Sequence, residues 1–322
     1  MMSESEIGRA QDFGARVQRE VARVVVGLER EVEACLIAVL AEGHVLVEGA
    51  PGVAKTLLVR ALAAALGGAY GRVQFTPDLM PADVTGTSVF HPSEQLFRFQ
   101  PGPLFAQFLL CDEINRAPAK TQAALLEAMQ EGAVTVDGVR HPLPRPFVVF
   151  ATMNPIEHEG TYPLPEAQLD RFLFKVLVGY PAAEVEERIL SEAHARAPNA
   201  TPAELGVQAV SRPEEVLELS RAVARVLVRE DLPGYVVRLL AATRKSSSLV
   251  LGASPRAGVM LLRAAKARAA LAGRDFVTPD DVKALFCPAL RHRVVLDPAE
   301  EIEGATSDAV LARIADHVEV PR

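Results

Sequence analysis

The chain has 322 residues, of which 49% are hydrophobic and 23% charged, and its net charge is −7. That length is long for one compact core, so about two domains are expected, and the composition excludes the disordered and fibrous classes. Aromatic residues make up 5% and Trp is absent, so the core must be built mainly from Ala, Val and Leu, which points to much helix.

The N-terminus, Met1-Met2-Ser3-Glu4-Ser5-Glu6, lacks a basic segment followed by an apolar one, so no signal peptide is expected. No apolar run approaches the roughly 18 residues needed to span a bilayer, so no membrane insertion is expected. Cys35, Cys111 and Cys287 are widely spaced and form no Cys-x-x-Cys pair. This favours a reducing compartment, with the cytoplasm as the expected location.

In chain order, residues 7–26 carry helical periodicity, Gly27 breaks it, and a second helix is expected near 28–42. Five apolar runs then read as strands: His44–Glu48, Tyr70–Phe75, Phe108–Cys111, Phe147–Ala151 and Phe172–Val178. Helical patterns at 56–66 and 118–131 alternate with them, which argues for a parallel sheet sandwiched by helices. Two stretches interrupt the alternation and read as β-hairpins, near 85–99 and 133–143. The second carries Asp137-Gly138, the signature of a tight primed turn. Such inserts are not needed for folding and are candidate contact devices. A helix near 183–195 leads into a Pro/Ala/Thr-containing stretch, and from 214 onward every segment reads as helix. Thr278-Pro279-Asp280-Asp281 forms one helix start.

The most informative segment is Gly49-Ala50-Pro51-Gly52-Val53-Ala54-Lys55-Thr56, lying between the first strand and a helix that opens at Leu57. Strand, glycine-rich loop, Lys-Thr and helix together form a phosphate-binding loop. Backbone N–H groups curl around the phosphates and the helix N-terminus adds its positive dipole end. Residues 49–57 are therefore the candidate nucleotide contacts, with Lys55 reaching the β/γ-phosphates and the Thr56 hydroxyl holding Mg²⁺. Ala54 stands where glycine is usual, a departure that matters if the position requires positive φ.

Asp112 and Glu113 end the third strand, where Asp112 could hold Mg²⁺ through water and Glu113 could polarise the attacking water. Asn154 ends the fourth. It could orient that water or meet the γ-phosphate, or it could simply form an Asx-turn before Pro155.

Charge is unevenly distributed. Residues 221–293 hold 14 Lys/Arg against 5 Asp/Glu, while the remainder holds 20 against 36. The split could mark a nucleic-acid surface, two faces that meet between copies, or solvated helix faces.

The chain resembles the AAA+ ATPases, and among them the MoxR family, over almost its whole length. The resemblance rests on residues 43–56, on Asp112-Glu113-Ile114-Asn115-Arg116-Ala117-Pro118 and on Gln122–Met129. It continues through Ala151-Thr152-Met153-Asn154-Pro155, residues 160–172 and Gly252-Ala253-Ser254-Pro255-Arg256-Ala257. It implies a three-layer α/β domain at 1–195, with a central five-stranded parallel sheet and two inserted hairpins, followed by a small all-α lid at 196–322.

By the same resemblance Ala54 is a usual residue and Asn154 is the polar sensor. Arg171 is an arginine finger acting in trans, Arg256 is a second sensor acting in cis or in trans, and Arg116 is family-typical with no assigned role. The two hairpins look like pore-facing inserts, and the lid's positive charge is compatible with packing on an acidic neighbour. The resemblance further implies ATP and Mg²⁺ as cofactors and a homo-hexamer that remodels, matures or metal-loads a client protein. A partner with a von Willebrand factor A domain is implied as well. Alternatives are the motor of a magnesium-chelatase-like or Rubisco-activase-like complex, or a nucleic-acid-stimulated helicase-type ATPase. No base-stacking platform supports direct nucleic-acid binding.

Overall fold

A computed structural model describes residues 2–154, 162–193 and 200–321. The expected domain division at 195/196, and Pro155, Gly160 and Thr161 of the matched stretches, lie outside the described residues.

The chain begins with α1 (Glu4–Val21) and α2 (Glu29–Leu40), then β1 (His44–Gly49), α3 (Lys55–Leu66), β2 (Tyr70–Gln74) and α4 (Pro81–Thr85). A hairpin, β3 (Gly86–His91) with β4 (Leu96–Pro101), precedes β5 (Phe108–Asp112) and α5 (Ala119–Glu131). A second hairpin, β6 (Ala133–Val136) with β7 (Val139–Pro142), precedes β8 (Val148–Met153), α6 (Glu166–Leu169), β9 (Phe172–Val178) and α7 (Ala183–Ala193). Next come α8 (Pro213–Val223), α9 (Asp231–Lys245), β10 (Leu249–Leu251), α10 (Pro255–Leu271) and α11 (Pro279–Leu290). The order ends with β11 (Val295–Leu296), α12 (Pro298–Ile302) and α13 (Ser307–His317).

The five apolar runs form one parallel sheet in the order β2-β5-β8-β1-β9. Its strands are buried on both faces because successive side chains point to opposite sides and both sides are covered. Val45 and Val47 of β1 join one core while Leu46 joins the other, and Leu110 and Leu109 of β5 divide in the same way. Both hairpins lie where the sequence put them. At the Asp137-Gly138 turn both residues have positive φ, 50° and 77°, as a type I′ turn requires.

The lid region departs from the all-helical expectation in short β pairings, among them an isolated bridge between Leu227 and Phe276. Leu249–Leu251 pairs antiparallel with Val295–Leu296, a two-stranded patch too short to read from sequence. Helix α11 starts as expected, with Thr278 Oγ1 accepting from the Asp281 N–H and the Asp281 carboxylate accepting from the Thr278 N–H.

The first core is continuous from the sheet into the lid. It runs from Val45 through Phe13 of α1, Leu36 of α2 and Leu58 of α3 to Tyr235, Leu261 and Phe286 of the lid helices. Helix α1 is part of this junction. A Cβ at Gly14 would lie 2.7 Å from Leu271, so the α1–α10 contact is as close as glycine allows. Arg9–Glu218 and Arg16–Glu215, each 3.0 Å, tie α1 to α8.

Much of the basic excess at 221–293 is paired within the chain. Arg225 pairs with Glu6, Lys283 with Asp316, Arg291 with Asp308 and Arg293 with Asp170, so these acidic partners come from outside the basic stretch.

Candidate active site

The loop after β1 is shaped by two tight requirements. A Cβ on Gly49 would lie 2.3 Å from the Val178 carbonyl oxygen, so only glycine lets β1 run beside β9 to its end. Ala54, the residue capping α3, has φ 63° and ψ 19°, so the position before Lys55 does need the left-handed conformation. An L-residue there carries strain of about 1–2 kcal/mol. Above Gly52, φ 84°, a Cβ would meet nothing within 4 Å, so the loop opens onto free space. Lys55 Nζ folds back and donates to the carbonyls of Gly49 and Ala50, the latter at 2.9 Å.

A cavity of about 440 Å³ lies over this loop. Pro51, Gly52, Ala54, Lys55, Thr56 and Leu57 line one side, and Asp112, Glu113 and Asn154 line another. Gly49, Ala50 and Val53 complete the loop behind that wall; Val53 is buried. The parallel sheet brings these residues together because β1, β5 and β8 all end at the same edge.

The two acids are held from neighbouring strands. Asp112, 5% exposed, accepts from Arg72 Nε at 2.8 Å and from the Thr152 hydroxyl at 3.2 Å. The Glu113 N–H donates to Thr152 Oγ1 at 2.9 Å, and Glu113 also lies in the left-handed region, with φ 57°. One oxygen of its carboxylate accepts from Gln74 Nε2 at 2.8 Å and from Arg116 Nη1 at 3.0 Å. Arg116, whose role sequence reasoning left open, thus grips Glu113.

Arg72, Gln74 and Thr152 were not anticipated. For Arg72 and Gln74 the available signal was the alternation of polar residues along β2, which ordinarily reads as a solvent-facing edge.

Arg171 and Arg256 are elsewhere. Arg171 immediately precedes β9, whose last residue pairs with Gly49. Seven residues at a rise of about 3.3 Å put it some 20 Å from the phosphate-binding loop, beyond an arginine's reach. Arg256 Nε lies 3.7 Å from Asp170 Oδ2, so it belongs to the same far edge. Both arginines, with Arg263, line a second cavity of about 230 Å³.

His44 also borders this second cavity. Its Nδ1 accepts from the Val149 N–H at 3.1 Å and its Nε2 donates toward the Met129 carbonyl at 3.3 Å. Burial pushes its pKa down to about 4, so it stays neutral and is a structural group.

Comparison with known proteins settles what this arrangement belongs to. The ATPase family associated with various cellular activities (AAA) matches residues 44–174, and the AAA lid domain matches residues 241–314. The chain is 45% identical to the chaperone MoxR1 of Mycobacterium tuberculosis, covering 94% of this chain and 81% of that protein. It is 46% identical to the uncharacterized protein YeaC of Bacillus subtilis, over 94% and 92% respectively. A solved chain from Cytophaga hutchinsonii, named as a candidate ATPase, superposes with a TM-score of 0.90 at 38% identity, covering 99% of this chain and 98% of its own.

This chain is a member of the MoxR family of AAA+ ATPases. It binds and hydrolyses ATP. The donor set fits Mg²⁺: the Asp112 carboxylate and the Thr56 hydroxyl are hard oxygen donors that line the same cavity. Among the described residues no cluster of three or more His, Cys, Asp or Glu could cage a metal. No helix among the described residues is long and apolar enough to cross a membrane.

Proposed function

We propose that this MoxR-family ATPase is one subunit of an oligomeric protein remodeller whose catalytic site is shared between adjacent copies. The observation that carries the reading is the strand's length between the two sets of site residues. Each copy has a phosphate-binding loop at one edge of its sheet and two arginines at the other, so neither set is sufficient alone.

Lys55 leaves the Gly49 and Ala50 carbonyls to meet the β/γ-phosphates, while Thr56 and Asp112 hold Mg²⁺, Asp112 partly through water. Bound there, Mg²⁺ would supply charge neutralisation to the phosphate groups. Glu113 turns away from Gln74 and Arg116 and accepts the proton of the attacking water as Asn154 orients it. Arg171 and Arg256 of the adjacent copy neutralise the charge that develops on the transferred phosphoryl group.

A homo-hexamer, a protein client and a partner with a von Willebrand factor A domain are the assembly this reading favours. Client maturation, metal loading included, is the work it favours. The name of the mycobacterial relative supports chaperone action. Three free cysteines, two of them buried, support a reducing, cytoplasmic setting. The test is Glu113→Gln together with dilution of the unaltered chain. The variant is expected to keep nucleotide binding and assembly with turnover abolished, and ATPase activity per subunit is expected to fall as the chain is diluted. Normal turnover by Glu113→Gln, or specific activity independent of concentration, contradicts the reading.

A further inference from the structure

Arg293, three residues beyond α11, is only 6% exposed, and burying a guanidinium is costly unless its donors are matched. Here they are matched almost entirely by the turn that carries Arg171. Nε donates to Asp170 Oδ1 at 2.7 Å, and Nη2 to the carbonyls of Asp170 at 3.0 Å and Phe172 at 2.6 Å. Nη1 donates to the Leu173 carbonyl at 3.1 Å and to that of Ala289. The backbone is thus pinned on both sides of Arg171 by one planar fork.

The same group reaches the second arginine. Asp170 Oδ1 takes Arg293 while Oδ2 faces Arg256 at 3.7 Å, and Met260 Sδ, one turn along α10 from Arg256, lies 3.0 Å from Arg293 Nη2. The neighbouring residues strengthen the attachment. His292 Nε2 donates to the Phe172 carbonyl at 2.9 Å, and Arg291 Nη1 donates to that of Lys175 at 3.2 Å. A residue needed only to close the lid on the sheet could bond anywhere along β9. Arg293 instead joins the Arg171 turn to the start of α10.

We infer that Arg293 is a positioning residue for the arginine pair, fixing Arg171 and Arg256 at one spacing for presentation to the neighbouring copy's nucleotide. This rests on the shared-site reading above. Misplacing a charge-stabilising group by about 1 Å costs on the order of a hundredfold in rate without affecting sites elsewhere.

The test is complementation in co-assembled mixtures of full-length chains, with affinity for a fluorescent ATP analogue as the second readout. Arg293→Met alone is expected to lose about a hundredfold in turnover at unchanged analogue affinity. Mixed equally with Lys55→Ala it is expected to regain about a quarter of wild-type activity, the share of interfaces pairing two intact halves. Mixed with Arg171→Ala it is expected to regain nothing, since both variants lack the same half.

Asp170→Asn keeps the carbonyl bonds to Arg293 and serves if Arg293→Met melts early. It is expected to show a smaller loss and the same pattern of rescue. Weakened analogue binding by both variants, or no rescue of either by Lys55→Ala while Arg171→Ala is rescued, overturns the inference. Failure of the Arg171→Ala and Lys55→Ala mixture instead counts against the shared site itself.

Discussion

Ala54 adopts a conformation that glycine would hold without strain, with φ 63° at the residue before Lys55. Ala54→Gly is expected to stabilise the folded chain by about 1 kcal/mol, read as a raised urea midpoint. An unchanged or lowered midpoint would mean that the left-handed conformation is not held in solution. Glu113 lies in the left-handed region too, and such strain persists only where surrounding bonds impose it, here those of Thr152, Gln74 and Arg116. At this scale the sequence was partly legible. Lys55, Thr56, Asp112, Glu113 and Asn154 follow from a motif and from strand ends. Arg72, Gln74 and Thr152 do not, because their reach depends on β2 and β8 flanking β5, a pairing that local pattern does not encode.

The strands carry a second kind of constraint. His44 at the start of β1 is buried with its pKa near 4, and His292 beside β9 is also held well below the ordinary value by burial and by Arg293. Both folded forms are neutral, so the unfolded chain binds more protons below its ordinary histidine pKa of about 6.5. Stability from these groups is present above that pH and is lost as pH falls from about 6.5 toward 4. The urea midpoint is expected to drop over this window, and His44→Gln is expected to make the drop shallower; an equal slope in the variant would show that His44 does not carry it. Strand positions and both hairpins were readable, since apolar runs and Asp137-Gly138 are local signals. The β10–β11 pair was not, because three residues flanked by helices carry no period.

At the scale of the molecule, one core joins the sheet, α1, α2 and the lid helices, and Arg291, His292 and Arg293 fasten the lid to β9. Calorimetry is expected to give a single cooperative transition, with equal calorimetric and van't Hoff enthalpies; separate transitions would mean that the lid melts alone. The two-part organisation was legible from the end of the strand pattern, whereas the shared core was not, because α1 meets α8 and α10 across some two hundred residues. The basic stretch suggested an acidic neighbour, yet several of its arginines find acids within the chain.

At the far edge Arg256 is exposed, and half-buried Arg171 lines the same cavity. The claim that these arginines complete another copy's site is tested most directly by co-assembling Lys55→Ala with Arg171→Ala. Each variant alone should be inactive, and the mixture should recover about a quarter of wild-type ATPase activity. A mixture as inactive as its parents would contradict a site shared between copies.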